Sequence, residues 1–267
     1  MTTEEDGGGI PLLHPGTRAG AGEARRRAGP LGAALGVPVR PRPFGPGERE
    51  AARAGGVPGA WALLDGADLL AGAPSPAGRA VLLPRRDPRW SLEDLLHRPP
   101  DRLPPRTRVV AGSALGAALL RRVRPDLVAV AAGAFPLPEE TPVLAEGPFE
   151  DLPAGIPLDP SVFVPAPGTG LGALAAPEGV DVPPAVRALE DPESATALLI
   201  ERAFVEGLGL LPPGTTVGAL ARRKVSVLFS LRAVLFLPGG EPRDLLAEIP
   251  LADARQFARG FGRHLAP

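Results

Sequence analysis

The chain has 267 residues, 44% of them hydrophobic, and its 29 basic and 30 acidic side chains leave a formal charge of −1. That length buries a sizeable core and accommodates two or three domains, while the balanced charge makes no bulk electrostatic demand for nucleic acid. With no cysteine and only His14, His97 and His264, disulfides, thiolate catalysis and thiolate metal sites are excluded, and a zinc or iron site is not expected.

Residues 1–9 are acidic and glycine-rich, without the basic and apolar regions of a signal peptide; a flexible tail and a cytoplasmic location are expected. No run approaches the roughly 18 apolar residues of a membrane span, so no membrane partner is expected. Glycines and prolines fall between apolar segments instead of in repeats, which predicts many short loops. Ile10-Pro11-Leu12-Leu13 reads as a first strand, followed by a helix over residues 22–35 and a second strand near Val37-Pro38-Val39. Ser91 as N-cap with Glu93 and Asp94 in the first turn predicts a short helix over residues 90–98. Residues 99–105 are a proline-rich linker.

A second strand–turn–helix unit begins at Arg108-Val109-Val110 and ends at Arg124-Pro125-Asp126-Leu127, and residues 127–132 make a further strand. The stretch 135–153 is rich in proline and glutamate. Asp191-Pro192-Glu193-Ser194 opens a helix through Leu208, with Asp191 as cap, Pro192 at the first helical position and Gly207 and Gly209 at its end. Residues 225–237 read as a hairpin pair or one long bent strand, and residues 251–265 as a C-terminal helix.

Several of these stretches resemble motifs of the hydroxymethylbilane synthase (porphobilinogen deaminase) family, in the family's order. Gly16-Thr17-Arg18 resembles the opening GTR-x-S, with Gly20 where the serine would stand. Trp61-Ala62-Leu63-Leu64-Asp65-Gly66-Ala67-Asp68-Leu69 resembles ALLDG-x-ADIA, which implies a helix, a turn, then a strand over residues 55–70, and Ala80 to Arg89 resembles AVLPREDPR, which implies a strand and a turn. Ser113, with Arg124 to Leu127, resembles VGTSSLRRQ…RPDL. Residues 164–175, Val-Pro-Ala-Pro-Gly-Thr-Gly-Leu-Gly-Ala-Leu-Ala, resemble LPA-x-GQGALA with two extra residues. Glu201-Arg202-Ala203-Phe204 with Leu208 resembles the ERAF helix before the family's cofactor loop.

The resemblance implies an α/β fold of two periplasmic-binding-protein-like domains and a small C-terminal α+β domain. On that basis residues 10–102 with 160–178 are domain 1, residues 103–159 a trimmed domain 2, and residues 185–267 domain 3. The implied chemistry is head-to-tail condensation of porphobilinogen with loss of ammonia in tetrapyrrole biosynthesis. Each step makes a cationic intermediate that a buried carboxylate must stabilise, and arginine forks hold the carboxylates of the growing chain.

The departures from the pattern are chemical. No cysteine follows the ERAF helix, so the family's dipyrromethane cofactor cannot attach through a thioether, and no cofactor is expected. The HS-x-KD-x-P segment is replaced by the shorter stretch 71–78, without His, Lys or Asp. The paired arginines are replaced by Leu115-Gly116, or by Gly116-Ala117 with a one-residue gap. No catalytic residue is assigned. The ligand-binding candidates are Arg18, Thr17, Ser113, Arg121 and Arg122. For Arg18 an anion at a helix start and a plain surface residue are both open readings, and Arg121 and Arg122 are either an exposed helix face or a partial substitute for the missing pair. The glycine-rich run 168–172 superficially resembles a phosphate loop but lacks its lysine, and a hinge crossing between domains explains it better.

Three functions stay open at this stage. One is an enzyme with a noncovalent primer and a relocated carboxylate such as Asp65 or Asp68. The second is a pseudoenzyme binding a small anionic pyrrole or tetrapyrrole, or a protein partner, in the interdomain cleft. The third is a structural protein without a ligand. A monomer without nucleic-acid partners is expected.

Overall fold

The computed structural model describes residues 9–71, 79–133, 138, 140–152 and 155–267, without the side chains of Arg18 and Ala19. The chain is mixed α/β. In order it forms β1 (Ile10–His14), α1 (Arg18–Leu35), β2 (Val39–Pro43), α2 (Glu48–Ala54), β3 (Trp61–Asp65), α3 (Gly66–Leu70) and β4 (Ala80–Leu82). β5 (Pro88–Glu93), β6 (Arg108–Ala111), α4 (Ala114–Val123), β7 (Val128–Ala131), β8 (Val143–Pro148) and β9 (Ile156–Pro157) follow. The last part comprises β10 (Gly172–Ala175), α5 (Pro184–Arg187), α6 (Pro192–Leu208), β11 (Thr216–Val225), β12 (Leu228–Phe236), β13 (Arg243–Pro250) and α7 (Ala254–Leu265). These elements gather into two compact units, Met1–Arg85 with Leu171–Ala195, and Arg86–Gly170 with Thr196–Pro267.

The first unit is built on a five-stranded sheet of order β2-β1-β3-β10-β4. β1 is parallel to β2 and β3, whereas β10 runs antiparallel to β3 and β4. Its core joins Leu12, Trp61, Leu63, Val81 and Leu174 of the sheet to Ala24 and Leu31 of α1 and Val186 of α5. The expected helix–turn–strand over residues 55–70 is corrected here, because β3 comes first and α3 second. Trp61, Ala62, Leu63 and Leu64 are all buried, as a strand covered on both faces requires. Asp65 then starts the helix instead of ending one, in a reciprocal capping box with Asp68.

The second unit holds a five-stranded sheet of order β7-β6-β8-β5-β9 and a three-stranded antiparallel sheet of order β11-β12-β13. Trp90, Leu92, Leu119, Leu144, Phe163, Leu220 and Val234 form one core that joins the two sheets. A second core packs α6 and α7 on the other face of the smaller sheet, through Ile200, Phe204, Leu231, Ala233 and Ala258. One expectation fails in this unit. Residues 88–93 form β5, not the start of a helix, because Trp90 and Leu92 are buried between β8 and β9, and that sheet pairing outweighs the local capping pattern. The stretch 135–153 contains β8, a central strand hidden in sequence between Pro142 and Pro148. Residues 225–237 resolve into the turn of the β11–β12 hairpin and a single strand, and β13 is an edge strand that no apolar run announced.

The two five-stranded sheets share one strand logic. β1, β2 and β3 take the places that β6, β7 and β8 take in the second, all parallel. The fourth place is filled antiparallel in each, by β10 in one and β5 in the other. Both of these strands begin just after the chain passes from one unit to the other, at residues 170–171 and 85–86.

Candidate functional site

Candidate residues of the first unit begin at the start of α1. Thr17 is its N-cap, its hydroxyl accepting the Gly20 amide at 3.0 Å. Gly20, where the family motif has serine, sits against the Pro15 carbonyl, and a Cβ there would strike that oxygen. A side chain at residue 20 has no room against this backbone. The Arg18 side chain lies outside the described residues, as does most of the 71–78 stretch.

A carboxylate pair is prominent at the end of β3. Asp68 is completely buried and accepts Arg49 Nε at 2.9 Å, and the Nε of Arg53 lies 2.8 Å from the same oxygen without hydrogen-bond alignment. Asp65 accepts Arg49 Nη2 at 2.9 Å and the Asp68 amide at 3.0 Å. Two guanidiniums from one face of α2 thus meet two carboxylates at the first turn of α3. Sequence reading offered these aspartates as candidate relocated carboxylates, and the structure has them capping the start of α3. Sequence reading missed Arg49 and Arg53, whose i,i+4 spacing in Glu-Arg-Glu-Ala-Ala-Arg was the available signal.

In the second unit, Ser113 is the N-cap of α4 and accepts the Gly116 amide at 3.2 Å. A Cβ on Gly116 would lie 2.6 Å from Cζ3 and 2.8 Å from Cη2 of the buried Trp90. An arginine at this place has no room. Arg121 and Arg122 occupy the last turn of the 10-residue helix, about 10 Å or more along its axis from Ser113. Arg122 is paired with Asp244 at 2.8 Å. These three candidates do not converge on one site, so neither arginine takes the place of the missing pair beside Ser113.

The glycine-rich run is held from two sides. Glu146 on β8 accepts the Ala166 amide and, at 3.0 Å, the Thr169 hydroxyl, both through Oε1. Glu201 on α6 is completely buried; its Oε2 accepts the Gly168 amide at 2.7 Å and its Oε1 the Ala221 amide of β11 at 2.7 Å. Burial pushes the Glu146 carboxyl above its ordinary value, against the lowering effect of its two hydrogen bonds. Gly168 and Gly170 adopt left-handed backbone, and a Cβ on Gly170 would strike the Arg86 carbonyl. Amides at 166 and 168, which a phosphate loop would offer to an anion, are occupied by the chain's own carboxylates. Glu201 therefore ties loop, helix and strand together inside this unit.

Among the described residues no group of three or more His, Asp or Glu side chains could hold a metal ion. No described helix is long and apolar enough to cross a membrane. The chain matches no model of a known protein family and no curated protein.

Proposed function

We propose that the chain is a divergent homologue of hydroxymethylbilane synthase in which porphobilinogen condensation is impaired or lost. The observation that carries this reading is the order of the matched stretches, from residues 61–69 through 80–89, 124–127 and 164–175 to 201–208. Under it, the two five-stranded sheets would belong to the two periplasmic-binding-protein-like domains, and β11–β13 with α6 and α7 to the small third domain. Their common strand logic supports that assignment.

The case for lost turnover rests on chemistry. A covalent primer needs a thiol, and the chain has none. Asp65 and Asp68 answer the need for carboxylates by position, but Arg49 and Arg53 already neutralise them. A carboxylate facing two guanidiniums stabilises a further cationic intermediate poorly, because its field is largely cancelled. The second reading, a non-catalytic protein that binds a small anionic pyrrole or tetrapyrrole, follows from the same departures with the ancestry retained.

Purified protein is incubated with porphobilinogen, following substrate loss and uroporphyrin after oxidation, with an intact family enzyme as positive control. No turnover is expected, with porphobilinogen or a linear tetrapyrrole binding by calorimetry. Turnover above background sinks the loss-of-activity reading, and absence of both turnover and binding sinks the ligand role.

A further inference from the structure

One face of the second unit has a surplus of arginine. Arg202 of α6 and Arg255 and Arg259 of α7 converge on the single carboxylate of Glu206, at 3.4, 3.5 and 3.4 Å. A charge-assisted bond of full strength is about 2.7–2.9 Å long, so these three share one acceptor loosely and none forms a fork with it. Among the described residues, Glu206 is the only acid paired with Arg255 or Arg259, and Arg263 has no ion-pair partner. Residues 255, 259 and 263 are four apart and lie on one flank of α7, roughly 6 Å from each to the next. Arg255, Arg259 and Arg263 against Glu206 leave this flank of α7 rich in positive charge, on a chain whose total charge is −1.

The patch stands on a rigid base. Gly207 of α6 and Gly262 of α7 bring the two backbones together so closely that a Cβ on either would strike a carbonyl of the other helix. The arginines are therefore held by two locked helices, which lowers the ordering cost of binding. Leu199, one turn before Arg202, and Leu210, just past the end of α6, are 42% and 102% exposed. The aromatic pair Phe257–Phe261 belongs to the opposite flank of α7 by helical spacing.

We propose that this face docks an acidic segment of a partner protein. Carboxylates spaced by one helical turn would bridge Arg255, Arg259 and Arg263, and apolar side chains of the same segment would cover Leu199 and Leu210. Charge complementarity selects an acidic partner. Exposed leucines on and just past α6, with no aromatic platform on the basic flank of α7, favour a protein over a nucleic acid, whose bases stack on aromatic side chains. The inference does not depend on the tetrapyrrole reading: Arg202 and Glu206 fall in the matched stretch 201–208, but the argument uses only their charge and position.

The test uses the full chain and a labelled synthetic helical peptide carrying glutamates at every fourth position and leucines between them. A lysine version of the peptide and a single-stranded oligonucleotide serve as competitors, and binding is read by fluorescence anisotropy at low and high salt. Expected is salt-sensitive binding of the glutamate peptide, weakened about tenfold or more in R255E/R259E. Binding should tighten by about threefold in Glu206→Gln, which removes the competing carboxylate; a network that serves only stability has no reason to give that gain. Should charge reversal beside Glu206 impair folding, R255Q/R259Q supplies the same comparison. The proposal is overturned if the arginine variants bind like the parent, if the lysine peptide binds as well, or if the oligonucleotide displaces the peptide at lower concentration.

Discussion

Glu201 and Glu146 hold the same loop, yet the same isosteric change should affect them oppositely. Glu201 spends both oxygens, one on Gly168 and one on Ala221, in a fully buried place. Glu201→Gln keeps the shape but turns one acceptor into an NH2 group that faces an N–H donor. One charge-assisted bond, worth about 1.5–3 kcal/mol, is lost, and two donors are left opposed. A loss of about 2–3 kcal/mol corresponds to a fall in melting temperature of about 5–10 °C for a unit of this size. Glu146 uses only Oε1, which the amide oxygen of Gln reproduces. Its carboxyl is raised by burial, so the folded form holds its proton to higher pH than the unfolded chain does. Stability from this group is therefore gained as pH falls toward the ordinary glutamate value and given up as pH rises above it. Glu146→Gln should be neutral or stabilising at neutral pH, with its advantage developing as pH rises. Urea denaturation in a Trp61→Phe background isolates the second unit, because Trp90, the other tryptophan, lies in it and donates to the Val164 carbonyl beside the loop. Equal shifts for the two glutamine variants, or an unchanged midpoint for Glu201→Gln, refute the reasoning.

Gly262→Ala should destabilise the second unit by about 1–3 kcal/mol despite alanine's better helix propensity, because its Cβ meets the Phe204 carbonyl. Gly260→Ala, with nothing within 4 Å of its Cβ, should stabilise the same helix by about 0.5–1 kcal/mol, and both are read as melting temperatures. Asp68→Ala leaves Arg49 with Asp65 alone, takes the ion pair from Arg53 and removes half of the capping box, and should cost about 1–3 kcal/mol, read from Trp61 emission in a Trp90→Phe background. The Arg98 guanidinium holds the Asp94 carboxyl down at about 2, and Arg42 does the same for Glu48, also to about 2. Both groups contribute stability that is complete above their ordinary carboxylate values and is lost as pH falls through about 2. Asp94→Asn should flatten that acid limb for the second unit, and an unaltered urea-midpoint profile would count against the Asp94–Arg98 pairing.

Legibility in the sequence followed how local the deciding interaction was. Helix α6 was readable because its cap, Asp191, and its stop, Gly209, are neighbours in the chain, and Asp191 accepts the Ser194 amide at 2.9 Å as expected. Residues 88–93 were misread because Ser91 looks like a cap, while what decides β5 is pairing with residues 143–148, more than 50 positions away. The order of β3 and α3 was inverted because it was taken from a family resemblance, while what decides β3 is its pairing with β1 and β10. Among candidate residues, Asp65 and Asp68 were legible as carboxylates, but their partners were not. Arg49 and Arg53 reach them across a turn of chain, and no spacing rule connects the two pairs.

By itself the sequence determined the exclusions and the chemistry that is missing, because a thiol, a lysine or an arginine is either present or absent whatever the fold. It also determined the mixed α/β class, through apolar runs alternating with capped helical segments. Only tertiary structure decided that Gly116 is empty because an indole fills its space, and that Arg121 and Arg122 stand at the far end of α4 from Ser113. Only tertiary structure turned Glu201, an ordinary helix glutamate in sequence, into the buried clasp of a glycine loop. The physical reason is the same in each case: sterics and hydrogen-bond satisfaction in a packed interior depend on groups distant in sequence, while composition and local capping do not.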